Sequence, residues 1–108
     1  MNQELPTEDH KFSSFGEFYE FYLAEHSESG TRRMHFLGTS LAVLCLLTIF
    51  ATGNPAWLFA ALLCGYGFAW IGHAVYEKNA PATFRHPLWS FIGDWRMWFE
   101  MLTGKVSF

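Results

Sequence analysis

From Met34 through Tyr76 the sequence contains no Asp, Glu, Lys or Arg, a run of forty-three uncharged residues in a chain of 108. Such a run is too long for one membrane-spanning helix and about right for two, since a bilayer core takes roughly 20 apolar residues at ~1.5 Å rise each. A basic surplus is also missing: seven Lys and Arg stand against ten Asp and Glu, for a formal charge of −3. This removes the electrostatic basis for binding a phosphate backbone, and no nucleic-acid partner is expected. There are only two cysteines, Cys45 and Cys64, both inside the uncharged run. They read as small packing residues rather than a disulfide. Internal repeats and low-complexity linkers are lacking, and the polar, acidic first ten residues do not resemble a cleavable leader.

What is present is apolar and aromatic, 51% and 19% of the chain. The expected fold class is all-α: a membrane helical hairpin of two transmembrane helices, flanked by two amphipathic interfacial helices. Residues 1–11 read as a polar tail and 12–108 as one helical membrane domain. The spans fall at about 36–52 and 56–75, separated by the turn formers Gly53, Asn54 and Pro55, with Pro55 able to open the second helix. The first span would cover only ~25 Å as a straight helix. All seven cationic residues lie outside the hairpin and none in its turn, which by the positive-inside rule places both termini in the cytoplasm. Ser14 and Glu17 make a capping box for a helix over about 15–25, with Phe15, Phe18, Tyr19 and Tyr22 at helical spacing. Ser27 to Thr31 reads as a polar loop. Pro87 opens a last helix to about Leu102, and its three tryptophans suit a headgroup level.

Two faces of small residues run along the spans. His35, Gly38, Ala42 and Cys45 share one on the first helix, and Ala61, Gly65, Ala69 and His73 share one on the second. Small residues let membrane helices approach closely, so packing these faces brings His35 and His73 together, and the same faces could pair two copies of the chain. His26 closes the first amphipathic helix and His86 begins the last. Four histidines at one membrane face therefore point to a metal site at His26, His35, His73 and His86. The alternative is that each caps a helix end or bonds a carbonyl; His10, in the polar tail, is read that way. Glu77 and Asp94 are the acidic residues nearest the cluster, as ligands or as acceptors for a ligand imidazole's other N–H. The competing reading for them is ordinary ion pairing, Glu77 with Arg85 or Asp94 with Arg96.

Several motifs are similar to those of a small membrane family. The series runs Phe21-Tyr22-Leu23 with His26, Arg33-Met34-His35-Phe36-Leu37-Gly38, Gly72-His73 with Glu77-Lys78-Asn79 and Pro81-Ala82, then His86-Pro87 and Gly93-Asp94. It resembles the family that includes the yeast 2-hydroxy fatty acid dioxygenase of phytosphingosine breakdown. The resemblance covers about residues 15–104 and looks like a compact bacterial-type member, which implies a bacterial inner membrane. It implies an iron(II) enzyme that uses dioxygen to shorten a 2-hydroxy fatty acid by one carbon, with membrane lipid around it. It also assigns the iron to His26, His35, His73 and His86. The residues alone leave other readings open: zinc in place of iron, a haem between His35 and His73, a structural hairpin, or a soluble bundle.

Overall fold

The computed structural model describes residues 11–108. The polar tail expected at 1–11, with His10, lies outside the described residues except for Lys11. Four helices follow in order: α1 (Phe15–Ala24), α2 (Ser29–Thr52), α3 (Trp57–Gly72) and α4 (Pro87–Leu102). A π-helical turn, His73–Glu77, extends α3, and a 3-10 turn, Ala82–Phe84, precedes α4. No strand occurs among the described residues.

The hairpin forms where the sequence breaks. Gly53 takes a left-handed conformation, φ 69°, and its N–H caps α2 by donating to the Ile49 carbonyl at 2.7 Å. Glycine adopts that conformation without Cβ strain. Asn54 Oδ1 then accepts the Ala56 N–H at 3.0 Å, turning the chain into α3, which starts at Trp57 rather than at Pro55. At its other end α2 begins at Ser29, well before the expected Phe36. Of the polar loop expected at Ser27–Thr31, the residues from Ser29 onward form the first turn of α2: Gly30 and Thr31 pack against the far end of α3, where a Cβ on Gly30 would overlap the Tyr76 ring. The span is thus 24 residues, about 36 Å, and no longer short for a bilayer.

Both helices of the hairpin are long and apolar enough to cross a membrane, and only 28% and 22% of their apolar windows are buried within the protein. Phe50, Phe59 and Leu63 are among the side chains left exposed. An outward apolar surface this extensive suits lipid better than water.

The flanking helices pack together more than the expected interfacial placement implies. Phe18, Tyr19, Phe21 and Tyr22 of α1 are buried with Met97 and Met101 of α4. Burying a side chain such as Phe18 contributes roughly 1.5–3 kcal/mol. Ser14 accepts the Glu17 N–H at 3.2 Å, as the capping box requires, but the Glu17 carboxylate takes the Ser13 hydroxyl instead of returning to Ser14. Gly93 allows α4 to approach the Tyr22 ring, and Trp98 Nε1 donates to Ser40 Oγ at 3.0 Å, tying α4 to α2.

Candidate metal centre

Three histidines meet where α1, α2 and α3 come together. His26 follows α1, and its carbonyl and that of Ser27 accept from Arg32 Nη1 at 3.0 and 2.7 Å, so a cation of α2 fixes that loop. His35 lies on the α2 face that also buries Thr31, Gly38 and Ala42. His73 stands where α3 widens into its π turn, a distortion often found at functional sites. The small residues set the helix approach. A Cβ on Gly38 would sit 2.6 Å from the Cys64 carbonyl, and one on Gly72 3.1 Å from Met34 Cβ.

The three rings are 1%, 5% and 2% exposed, so bulk water does not satisfy them. Their Nε2 atoms form a triangle, with His26 to His35 at 3.0 Å, His35 to His73 at 3.2 Å and His73 to His26 at 3.0 Å. Each Nδ1 faces an oxygen. His26 Nδ1 lies 2.6 Å from the Tyr22 carbonyl and His73 Nδ1 2.6 Å from Asn79 Oδ1. His35 Nδ1 lies 3.6 Å from Asp94 Oδ1, within ion-pair range though beyond a hydrogen bond. These acceptors assign the ring proton to Nδ1 in His26 and His73. The Nε2 lone pairs of His26 and His73 then point at each other and at His35 Nε2, an arrangement that a cation would relieve. These spacings bring all three Nε2 atoms within reach of a single ion. Burial drives the His26 imidazole well below its ordinary pKa, with His35 and His73 adding to the shift, so it stays neutral and able to ligate.

His86 does not join the triangle. It caps α4, and because α4 packs on α1, its ring sits among aromatics, 5.3 Å from both the Phe12 and Phe18 rings. Glu77 is also elsewhere: its carboxylate accepts from Ser27 Oγ at 2.8 Å and the Glu28 N–H at 2.9 Å, fastening the π turn to the start of α2. Asp94 is at the centre, close to His35 and accepting the Tyr22 phenol. Burial pushes its carboxyl up to about 7, against the opposing Tyr22 hydrogen bond. Arg96, the partner the ion-pair reading gave Asp94, instead pairs with Glu100 at 3.4 Å.

Two residues at the site had no role assigned from the sequence. Asn79 holds His73, and its own amide donates to the carbonyl and the carboxylate of Glu25. Those two bonds orient the amide so that its oxygen faces the ring. The Ser90 hydroxyl is buried without a hydrogen-bond partner among the described residues. It lines a small chamber with Tyr22, the three histidines and Asp94. Ser90 and Asp94 are one helical turn apart on α4, a spacing that was the available signal.

A family model described as 2-hydroxy-palmitic acid dioxygenase Mpo1-like matches residues 12–106. No curated protein and no solved structure matches the chain. The matched span takes in all four helices and every residue of the triangle, and by that match the chain belongs to the Mpo1-like family.

Proposed function

We propose that this protein is a membrane-bound, iron(II)-dependent dioxygenase that shortens 2-hydroxy fatty acids by one carbon, with the metal held by His26, His35 and His73. The observation that carries the reading is the triangle of three buried Nε2 atoms 3.0–3.2 Å apart, with an oxygen 2.6 Å from Nδ1 of His26 and His73 and 3.6 Å from that of His35. Iron(II) bound there would supply a Lewis acid for the 2-hydroxy carboxylate and a redox partner for dioxygen, with coordination positions left open beyond three imidazoles.

The residues around it have distinct work. Tyr22, through its carbonyl, and Asn79 hold the His26 and His73 rings, and Asp94 faces His35. Neutral ligands add no negative charge, so the centre retains its attraction for a carboxylate. Ser90 is placed to donate its unused hydroxyl to an oxygen of whatever occupies the chamber. His86 and Glu77 serve the scaffold in this reading, one in the aromatic core and one at the α2 start. The overall reaction balances without a further reductant: the carboxyl carbon leaves as carbon dioxide, the carbinol carbon becomes the new carboxylate, and dioxygen ends in that carboxylate and in water. Both termini would lie on the cytoplasmic side of a bacterial inner membrane. Zinc would use the same ligands. A haem between His35 and His73 is disfavoured, because their Nε2 atoms are 3.2 Å apart with His26 beside them, which leaves no gap for a porphyrin plane.

The test is anaerobic reconstitution of the purified membrane protein with Fe(II), followed by oxygen uptake on adding 2-hydroxypalmitate. Stoichiometric uptake with formation of the fifteen-carbon acid is expected. An iron-loaded protein that consumes no oxygen and leaves the hydroxy acid intact would overturn the assignment.

A further inference from the structure

A second cavity, of about 220 Å³, adjoins the histidine chamber, walled by both hairpin helices and by Phe91, Asp94 and Trp95 of α4. The two cavities share three walls, His35, Tyr66 and Asp94. Those residues therefore separate a polar chamber from a space whose remaining lining carries no charge. On α2 the lining passes from His35 to Leu46, eleven residues along one face, or roughly 16 Å. That is about the length of a twelve-carbon saturated chain.

Small residues make the space. Gly38 and Gly72 are used in helix contact, but a Cβ on Gly65 would meet nothing within 4 Å, and Gly65 lines the cavity with Ala42 and Ala61. The face predicted to close the hairpin is therefore in contact at Gly38, where a Cβ would press on the Cys64 and Gly65 carbonyls, and open on the side toward which a Gly65 Cβ would point. Leu58 and Leu62 border the cavity and are 50% and 45% exposed, so it also opens sideways through the apolar surface of the hairpin. A ligand confined to this site has one polar end, at His35 and Asp94, and a long, narrow apolar remainder.

We infer that this groove binds a single unbranched acyl chain, headgroup toward the three histidines, and that Gly65, with Leu58 at the far end, sets the chain length accepted. The inference depends on the proposed function only for the nature of the headgroup; the groove itself is independent of the metal. Lateral opening lets a chain slide in from lipid without passing through water. A large side chain at Gly65 projects into the open space and excludes the distal methylenes, each worth roughly fourfold in affinity.

The test measures binding of saturated 2-hydroxy acids of eight to eighteen carbons to the metal-free protein in detergent, by displacement of a fluorescent fatty acid. Wild type is expected to gain affinity with each added carbon and then level off. Gly65→Leu should level off several carbons earlier, binding the longest acids at least about tenfold more weakly. Gly67→Leu is the matched control, since a Cβ there also meets nothing within 4 Å and the residue does not line the cavity. It should retain the wild-type profile. Leu58→Ala, a truncation at a half-exposed position, should move the plateau to longer acids and serves if Gly65→Leu does not fold. Unchanged profiles in Gly65→Leu, or in Leu58→Ala where only that variant folds, would overturn the groove. Should the iron-loaded protein prove inactive while the chain-length shift persists, the proposed reaction fails and the groove stands; turnover without any shift gives the reverse.

Discussion

Asn79 Oδ1 lies 2.6 Å from His73 Nδ1, while the same amide donates to Glu25. A residue just beyond the π turn thus fixes a metal-facing imidazole and joins the end of α3 to the end of α1. Removing it should free the His73 ring. Asn79→Ala is expected to weaken metal binding about 10- to 100-fold, the usual cost of losing such support, and Asn79→Asp, which keeps the acceptor but loses both bonds to Glu25 and meets its carboxylate, should recover only part of it. Competition against a chromophoric chelator measures both. Equal affinity in Asn79→Ala and wild type would remove the positioning role.

Gly38 and Gly65 both belong to the small-residue faces but meet different surroundings. A methyl group on Gly38 would press on the Cys64 carbonyl and Phe68 Cβ, at 2.6 and 2.8 Å, whereas one on Gly65 would have no near neighbour. Gly38→Ala should therefore destabilise the protein by about 1–3 kcal/mol, and Gly65→Ala should change stability little. Unfolding in mixed micelles distinguishes the two. The prediction fails if both variants lose stability equally.

This pair also shows how far the sequence could be read. Periodicity identified the faces and brought His35 to His73, and the Gly53 turn and the Pro87 start followed from local backbone chemistry. The division of one face into a contact and a groove was not legible, because it depends on the angle between α2 and α3. Nor was the placement of His86. Its spacing matched that of the others, but packing of α4 on Phe18 and Tyr22 decided where the ring went. Glu77 was expected as a ligand or as an acceptor for a ligand imidazole, and at the end of the π turn its carboxylate bonds Ser27 and Glu28 instead. Three of the four histidines converge, and Asn79 became visible only once the π turn was known.

Ser90 is buried with its hydroxyl unpaired among the described residues. In the metal-free protein Ser90→Ala removes that cost and should be neutral or stabilising by up to about 1 kcal/mol. With iron bound it should raise the KM for the 2-hydroxy acid several-fold and leave metal content unchanged. Destabilisation of the metal-free form, together with an unaltered KM, would show that the hydroxyl serves only the scaffold.

Tyr19 donates to Glu100 at 2.6 Å, with Arg96 beside the same carboxylate and over the Tyr19 ring. Burial raises the Glu100 carboxyl, but the Tyr19 bond and the attraction of Arg96 and Lys105 outweigh it, and its pKa ends below the ordinary value. A carboxyl lowered in the folded state stabilises it above the unfolded pKa, roughly 4.3, and that contribution is lost as pH falls through the folded value. Tyr19→Phe should be less stable at neutral pH, by roughly 1–2 kcal/mol, with the difference shrinking between about pH 5 and 3. Parallel unfolding curves over that range would contradict it.

The most direct test of the account is the metal content of purified wild type and of single His→Ala variants at His26, His35, His73 and His86, measured by elemental analysis after reconstitution with Fe(II) and desalting. One iron per chain is expected in wild type and His86→Ala, with loss of iron in the other three. An iron-free wild type, or a His86→Ala variant as depleted as His35→Ala while still folded, would contradict it.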